Sequence, residues 1–180
     1  LQDEYGRLHL EFDGIHVDRV MVENDIINLG EGIEAHFIEV PGHTKCCIAT
    51  YVPELKAMFP SDAAPFPTAD GSELSYPSAQ YDFSSYRASL RKLVTYDTQI
   101  CAFDHHGVFV GDDAKNILQQ GLEQVEKFKS YIIEQYRQMG DLDKMAQKLV
   151  AETTERNELD FLSLELETAV VKTIIRKILG

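Results

Sequence analysis

Two residues that could bind a metal ion stand close together between Val40 and Ala64. His43 follows an apolar strand in the run Pro-Gly-His-Thr, and Asp62 follows a second apolar strand in the run Phe-Pro-Ser-Asp. If the two strands are neighbours, their ends place an imidazole and a carboxylate at one rim of the sheet. Catalytic metal sites are commonly built from such ligands, held by rigid elements, with a position left for water. The stretch therefore predicts part of a metal site.

A third candidate ligand ends a later predicted strand. Residues 98–103 are followed by Asp-His-His-Gly, which contains His105 and His106. A single histidine in a loop is more often a surface residue than a ligand, and an aspartate after a strand often forms a turn or caps a helix. The same placement at three strand ends favours a shared site. Its expected ligands are His43, Asp62 and His106.

Short apolar segments separated by turn residues predict a meander of antiparallel strands in the first 62 residues. The breaks between segments carry the Gly, Asn and Asp residues that hairpin turns require. The proline-rich residues 65–77 are predicted to form a surface loop that lines a substrate pocket. The predicted strands are 8–12, 20–22, 26–29, 33–40, 46–52 and 57–59.

Helical periodicity dominates the rest of the chain. An amphipathic helix is expected after a cap at Asp82 or Ser84, and a long helix over 113–139 is expected to stop at Gly140. Two further helices are predicted over 141–151 and 162–179. The predicted fold class is α/β (α+β), a mostly antiparallel sheet covered by helices. It divides into a sheet-rich part, 1–112, and a helical region, 113–180, that ends in a two-helix tail over 141–180.

Composition excludes several classes of partner. The formal net charge of −13 argues against nucleic acid, whose binding requires clustered Lys and Arg. No apolar run approaches the length that spans a bilayer, so no membrane partner is expected. Three cysteines without a Cys-x-x-Cys spacing indicate neither a disulfide framework nor a cysteine-rich zinc site. A cytoplasmic location is therefore predicted.

The series of motifs resembles that of the metallo-β-lactamase-fold hydrolases. The similar segments are Pro-Gly-His-Thr at 41–44, Phe-Pro-Ser-Asp at 59–62 and His-His-Gly at 105–107 before a capped helix, which resemble the third, fourth and fifth motifs of that family. The resemblance covers residues from about 18 to 140. It implies an αββα sandwich around one or two divalent metals, commonly zinc and sometimes iron or manganese.

The same resemblance implies a role for each candidate. His43 would bind the first metal, Asp62 would bridge both ions as the catalytic carboxylate, and His106 would bind the second metal. His105 stands where the family usually has glycine, so it is either a pocket residue or a competing ligand, and His106 is favoured. The implied reaction is attack by metal-bound hydroxide on a small-molecule ester, thioester, lactam or phosphoester.

The family's main metal motif, H-x-H-x-D-H, is absent from this sequence. The nearest similarity is His9-Leu10-Glu11-Phe12-Asp13, which resembles the H-x-E-x-D form of flavodiiron proteins but alternates like an ordinary strand. The chain is therefore expected to be the C-terminal half of such a protein, inactive alone and able to lack metal. An open sheet edge or the apolar last helix is expected to form a homodimer. The alternatives are a flavodiiron-like oxidoreductase and a non-catalytic dimerising module.

Overall fold

The computed structural model describes residues 16–68, 71–156 and 162–180. Six strands form one sheet in the order of the chain, and every neighbouring pair is antiparallel except β4 and β5, which are parallel. The predicted class, a mostly antiparallel sheet with helices on it, is confirmed. The strands are β1 (Ile26–Gly30), β2 (Ile33–Glu39), β3 (Ile48–Val52), β4 (Ala57–Phe59), β5 (Ile100–Ala102) and β6 (Val108–Val110).

Four helices complete the described fold, and polar residues fix their ends. The Asp82 carboxylate accepts a hydrogen bond from the Ser85 amide at 2.6 Å and begins the first helix, as predicted. Gly140 ends the second helix in a left-handed conformation, with φ of 63°. The helices are α1 (Phe83–Leu93), α2 (Asp112–Met139), α3 (Leu142–Glu155) and α4 (Leu164–Leu179). None of them, in the part of the chain that the structure describes, is long and apolar enough to cross a membrane.

One face of the sheet forms the core with the helices. Successive strand residues point to opposite faces, so alternate positions on each strand turn toward the helices. Ile38, Ala49, Met58 and Cys101 are buried there and belong to the same cluster as residues from all four helices. Helix α2 packs against α1, α3, α4 and the sheet, so it is the central support of the helical layer.

Strand directions bring three loops to one end of the sheet. β2 is antiparallel to β3 and β3 is antiparallel to β4, so β2 and β4 run the same way. β5 is parallel to β4 and therefore shares that direction. The segments that follow β2, β4 and β5 carry His43, Asp62 and His105, and all three segments leave the sheet at the same end. The strand directions therefore place these three loops close together, as the positions of the motifs at strand ends predicted.

Besides small shifts of strand ends, the structure differs from the predicted strands at two places. Residues 20–22 are irregular rather than a strand, and Val20 is 76% exposed. The sequence analysis did not predict β6, because a strand of three residues is too short to show a clear alternation. The predicted strand at 8–12 lies outside the described residues. The division into sheet-rich and helical domains remains a prediction.

A half-buried polar cluster joins the loop before α1 to the helices. Glu152 on α3 accepts hydrogen bonds from the hydroxyls of Tyr76 at 3.0 Å and Tyr131 at 2.6 Å, and from the Lys148 ammonium at 2.6 Å. The guanidinium of Arg156 lies 4.6 Å from the centre of the Tyr76 ring. Burial alone would raise the pKa of Glu152, but these three donors outweigh it and hold the pKa below its ordinary value.

Replacing Glu152 with glutamine is expected to lower the free energy of unfolding by about 1 to 2 kcal/mol at pH 7. Because the folded pKa is depressed, the carboxylate stabilises the native state above its ordinary pKa of 4.5, and this contribution is lost as pH falls through the folded value. Urea denaturation between pH 3 and 7 should therefore show a shallower acid loss in Glu152→Gln. Glu155→Gln, an exposed change on the same helix, should leave the wild-type profile intact. Equal profiles for all three proteins would contradict the assignment.

Candidate active site

The His43 loop is packed directly against the start of α1. Gly42 has φ of +143°, and a Cβ atom added there would lie 2.2 Å from the Tyr86 Cα. The Gly42 carbonyl accepts hydrogen bonds from the amides of Tyr81 at 2.9 Å and Asp82 at 3.1 Å, and the Ser89 hydroxyl donates to the Pro41 carbonyl at 2.8 Å. Only glycine permits so close an approach of two backbones. The loop therefore holds His43 rigidly.

The orientation of the His43 ring is fixed by a backbone carbonyl. Its Nδ1 lies 2.8 Å from the Ser78 carbonyl oxygen, and because a carbonyl can only accept, Nδ1 carries the hydrogen. Nε2 is left facing the Asp62 carboxylate, 3.5 Å from Oδ2. A hydrogen bond that fixes one ring nitrogen so that the other can bind is the usual arrangement of a metal-ligating histidine.

Asp62 is held at the end of β4 by a tight turn. It lies in a short 3-10 helix, Ser61–Ala63, that begins with Ser61 at φ of +52°. The Ser78 hydroxyl donates to the Asp62 carbonyl at 3.3 Å, while the buried Ala63 anchors the turn in the core. Its carboxylate remains partly exposed, at 28%. The turn thus directs a charged group outward from a buried support.

The two adjacent histidines lie differently relative to Asp62. His105 Nε2 is 3.9 Å from Asp62 Oδ1, and the His105 ring packs against Phe66 with ring centroids 4.9 Å apart. His106 is exposed, has φ of +57°, and makes no ion pair with Asp62 within the described residues. The structure therefore brings His43, Asp62 and His105 together and leaves His106 outside that group. The assignment of His106 as a ligand remains a prediction.

The donor types suit a divalent metal, but the set is incomplete. His43 Nε2 lies 3.5 Å from a carboxylate oxygen of Asp62, and an imidazole nitrogen beside a carboxylate oxygen is a pair of ligand types that suits a divalent metal. Across residues 16–68, 71–156 and 162–180, however, no group of three His, Cys, Asp or Glu side chains is arranged to hold a metal ion. These residues alone do not form a complete cage. The His9–Asp13 motif lies outside the described residues.

Cys47 is close to the site, but its surroundings favour the neutral thiol. Burial raises the pKa of its thiol, and the nearby carboxylates of Asp62 and Asp104 act in the same direction, although a hydrogen bond to the Ser61 hydroxyl opposes them. A neutral thiol is a poor nucleophile. The partly exposed imidazoles and carboxylate are therefore better placed to react than the Cys47 thiol.

A cavity of about 350 Å³ opens beside these three residues. His43, Asp62 and His105 line one side of it, and the loop before α1 and the helices α2, α3 and α4 line the rest. The residue patterns predicted that the 65–77 loop would border a pocket, and the family resemblance implied that the helical tail covers the substrate; α4 does line this cavity. The apolar residues on α4 are consistent with a cavity wall, but a helix packed in the core shows the same apolar periodicity.

Comparisons with known proteins identify the fold. No protein-family model and no curated protein matches the sequence. A beta-lactamase domain protein from Burkholderia ambifaria is 16% identical, with a TM-score of 0.57 over 89% of this chain and 45% of that protein. A metallo-beta-lactamase family protein from Thermus thermophilus is 14% identical, with a TM-score of 0.54 over 88% of this chain and 47% of that protein.

A third solved structure extends the comparison to a longer protein. The stereoselective inverting sec-alkylsulfatase Pisa1 from Pseudomonas sp. is 16% identical, with a TM-score of 0.54 over 89% of this chain and 26% of its own. The chain thus spans half or less of each of these structures. Likeness at this level of identity establishes architecture and leaves the reaction open. The chain therefore has the metallo-β-lactamase fold, as the motif resemblance predicted, and it corresponds to about half the length of two of these structures.

Proposed function

We propose that this chain is part of a metal-dependent hydrolase in which His43, Asp62 and His105 form one side of the active site. The observation that carries the proposal is their convergence beside a cavity at one end of the sheet, with each Asp62 oxygen facing one histidine. The remaining ligands would come from outside the described residues. Zinc is the expected metal, with iron or manganese as alternatives.

Each residue has a distinct role in this proposal. His43 presents Nε2 because Ser78 holds Nδ1–H, and Asp62 provides two oxygens from a rigid turn. A bound divalent metal would lower the pKa of a coordinated water toward neutrality and polarise the substrate. His105 closes the opposite side, with its ring tilted against the Phe66 ring. The packing of His43 and Asp62 on buried elements keeps these groups in position during the reaction.

The substrate in this proposal is a small molecule carrying an ester, thioester, lactam or phosphoester. A cavity of this volume falls at the small end of the range for small-molecule sites. The acidic net charge disfavours nucleic acid as a partner. A cytoplasmic location and a homodimer through the open edge strands, β1 and β6, or through α4 belong to the same proposal.

Because the 180-residue chain is expected to be inactive alone, the test is hydrolysis of a four-substrate panel by the full-length protein with added Zn²⁺, Mn²⁺ or Fe²⁺. One of the p-nitrophenyl ester, thioester, lactam or bis-p-nitrophenyl phosphate substrates should be cleaved with Zn²⁺ present. EDTA should remove the activity and a second addition of Zn²⁺ should restore it. Activity that survives EDTA would contradict the proposal. Oxygen or nitric oxide consumption with iron alone would favour the flavodiiron alternative instead.

A further inference from the structure

The cavity beside the candidate site is lined by two chemically different sets of side chains. His43, Asp62 and His105 form the polar set, together with short polar side chains of the adjoining loop. The second set, called here the apolar wall, comes from three helices and consists of Phe128, Leu149, Leu166, Val170 and Ile174. Both sets line one cavity, so a single ligand can contact the polar groups and the apolar wall together.

The apolar wall offers no charge to a ligand. Among the described residues that line the cavity, Asp62 is the only one of a fully charged type, and it belongs to the polar set. The hydroxyl of Thr153 lies in the apolar wall but is already hydrogen-bonded to the carboxylate of Glu167, which is buried. A charged or strongly polar group placed there would lose its hydration without gaining a partner. Aliphatic groups are therefore the ligand groups that this wall can bind favourably.

Specific contacts hold the residues of the apolar wall in place. Tyr76 stacks on Phe128 with ring centroids 4.6 Å apart, and its hydroxyl donates to Glu152 on α3. Ile174 is buried against the core, and α4 packs on both α2 and α3. Cavity walls that are fixed in the free protein bind apolar groups without an ordering cost. The cavity is therefore a preformed feature of the fold.

We infer that the cavity binds the aliphatic chain of an uncharged substrate whose hydrolysable group lies against His43, Asp62 and His105. This inference rests on the proposed function for the identity of the reacting group, but the binding of the chain rests on the cavity alone. The substrate class is accordingly an ester or thioester with an apolar acyl or alkyl group. The volume of the cavity limits that group to one short chain rather than a peptide or a second helix.

The test is calorimetric titration of the full chain, without added metal, with 1-butanol, 1-hexanol and 1-octanol. Affinity should rise about fourfold for each added methylene until the chain fills the cavity. Leu166→Trp, which fills the wall, should weaken 1-octanol binding at least about tenfold. Leu164→Trp is the matched control on the same helix, because Leu164 is 68% exposed, and it should bind 1-octanol as the wild type does.

Circular dichroism establishes that each variant is folded. If Leu166→Trp does not fold, Val170→Phe in the same wall carries the same expectation. Equal affinity for all three alcohols, or equal losses in the wall variant and in Leu164→Trp, would overturn the inference. Asp62→Asn should retain the dependence on chain length. Retained alcohol binding in a protein that hydrolyses none of the panel substrates would therefore overturn the proposed function and leave the apolar site established.

Discussion

Replacing Gly42 with alanine is expected to lower the free energy of unfolding by at least about 4 kcal/mol. Two effects add at this position. The backbone has φ of +143°, which strains any residue with a side chain, and the new Cβ would lie 2.2 to 2.5 Å from three atoms of Tyr86, two of them backbone. Neither backbone can move without breaking the hydrogen bonds that join this loop to the start of α1. A loss of this size is a large part of a domain's total stability.

The substitution Gly107→Ala separates the cost of backbone strain from the cost of the steric clash with Tyr86. Gly107 has nearly the same φ, +146°, but a Cβ added there meets no atom within 4 Å. Its substitution should therefore cost only the backbone strain, about 1 to 2 kcal/mol. Urea unfolding followed by circular dichroism measures both variants. Similar losses for the two glycines would show that the contact between Gly42 and Tyr86 does not hold the His43 loop in place.

Replacing Asp62 with asparagine is expected to weaken Zn²⁺ binding by the full chain at least about a hundredfold. Both carboxylate oxygens face imidazole nitrogens, so the amide removes the negative charge at the centre of the site and leaves one oxygen as an acceptor. The turn that carries Asp62 depends on its backbone carbonyl and on Ala63, so the fold should survive. Competition titration with a chromogenic chelator measures the change.

Asp113→Asn is the matched control for that substitution. Asp113 is exposed in the first turn of α2, far along the chain from the loops that carry His43 and Asp62. The same chemical change there should alter Zn²⁺ affinity by less than about twofold, because an exposed charge is screened by solvent. Equal effects at the two positions would indicate that Zn²⁺ binds to the acidic surface in general.

The sequence pattern was sufficient to predict that His43 and Asp62 lie at the same end of the sheet. His43 and Asp62 each follow an apolar strand, and strands of the same direction end at the same side of a sheet, so their proximity could be inferred from order alone. The end of the long helix at Gly140 and a helix cap at Asp82 or Ser84 were also predicted from the sequence, because few residue types satisfy those positions, and the structure selects Asp82.

The choice between His105 and His106 could not be predicted from the sequence. The two residues are adjacent, and only the folded loop shows that the His105 ring faces Asp62, whereas His106 has a left-handed φ of 57°. That conformation depends on the pairing of β5 with β6, a three-residue strand whose pattern resembles a loop. Similarly, the apolar residues of α4 divide between the core and the cavity wall, and only the packing of the helices distinguishes the two.

Zn²⁺ affinity of His105→Ala and His106→Ala, measured in the full chain by the same chelator competition, tests the central claim most directly. The claim is that His43, Asp62 and His105 form one side of a metal site. It predicts that His105→Ala weakens binding at least about tenfold, whereas His106→Ala changes it by less than about threefold. A large loss in His106→Ala with no change in His105→Ala would contradict it and would restore the ligand set that the family resemblance implies.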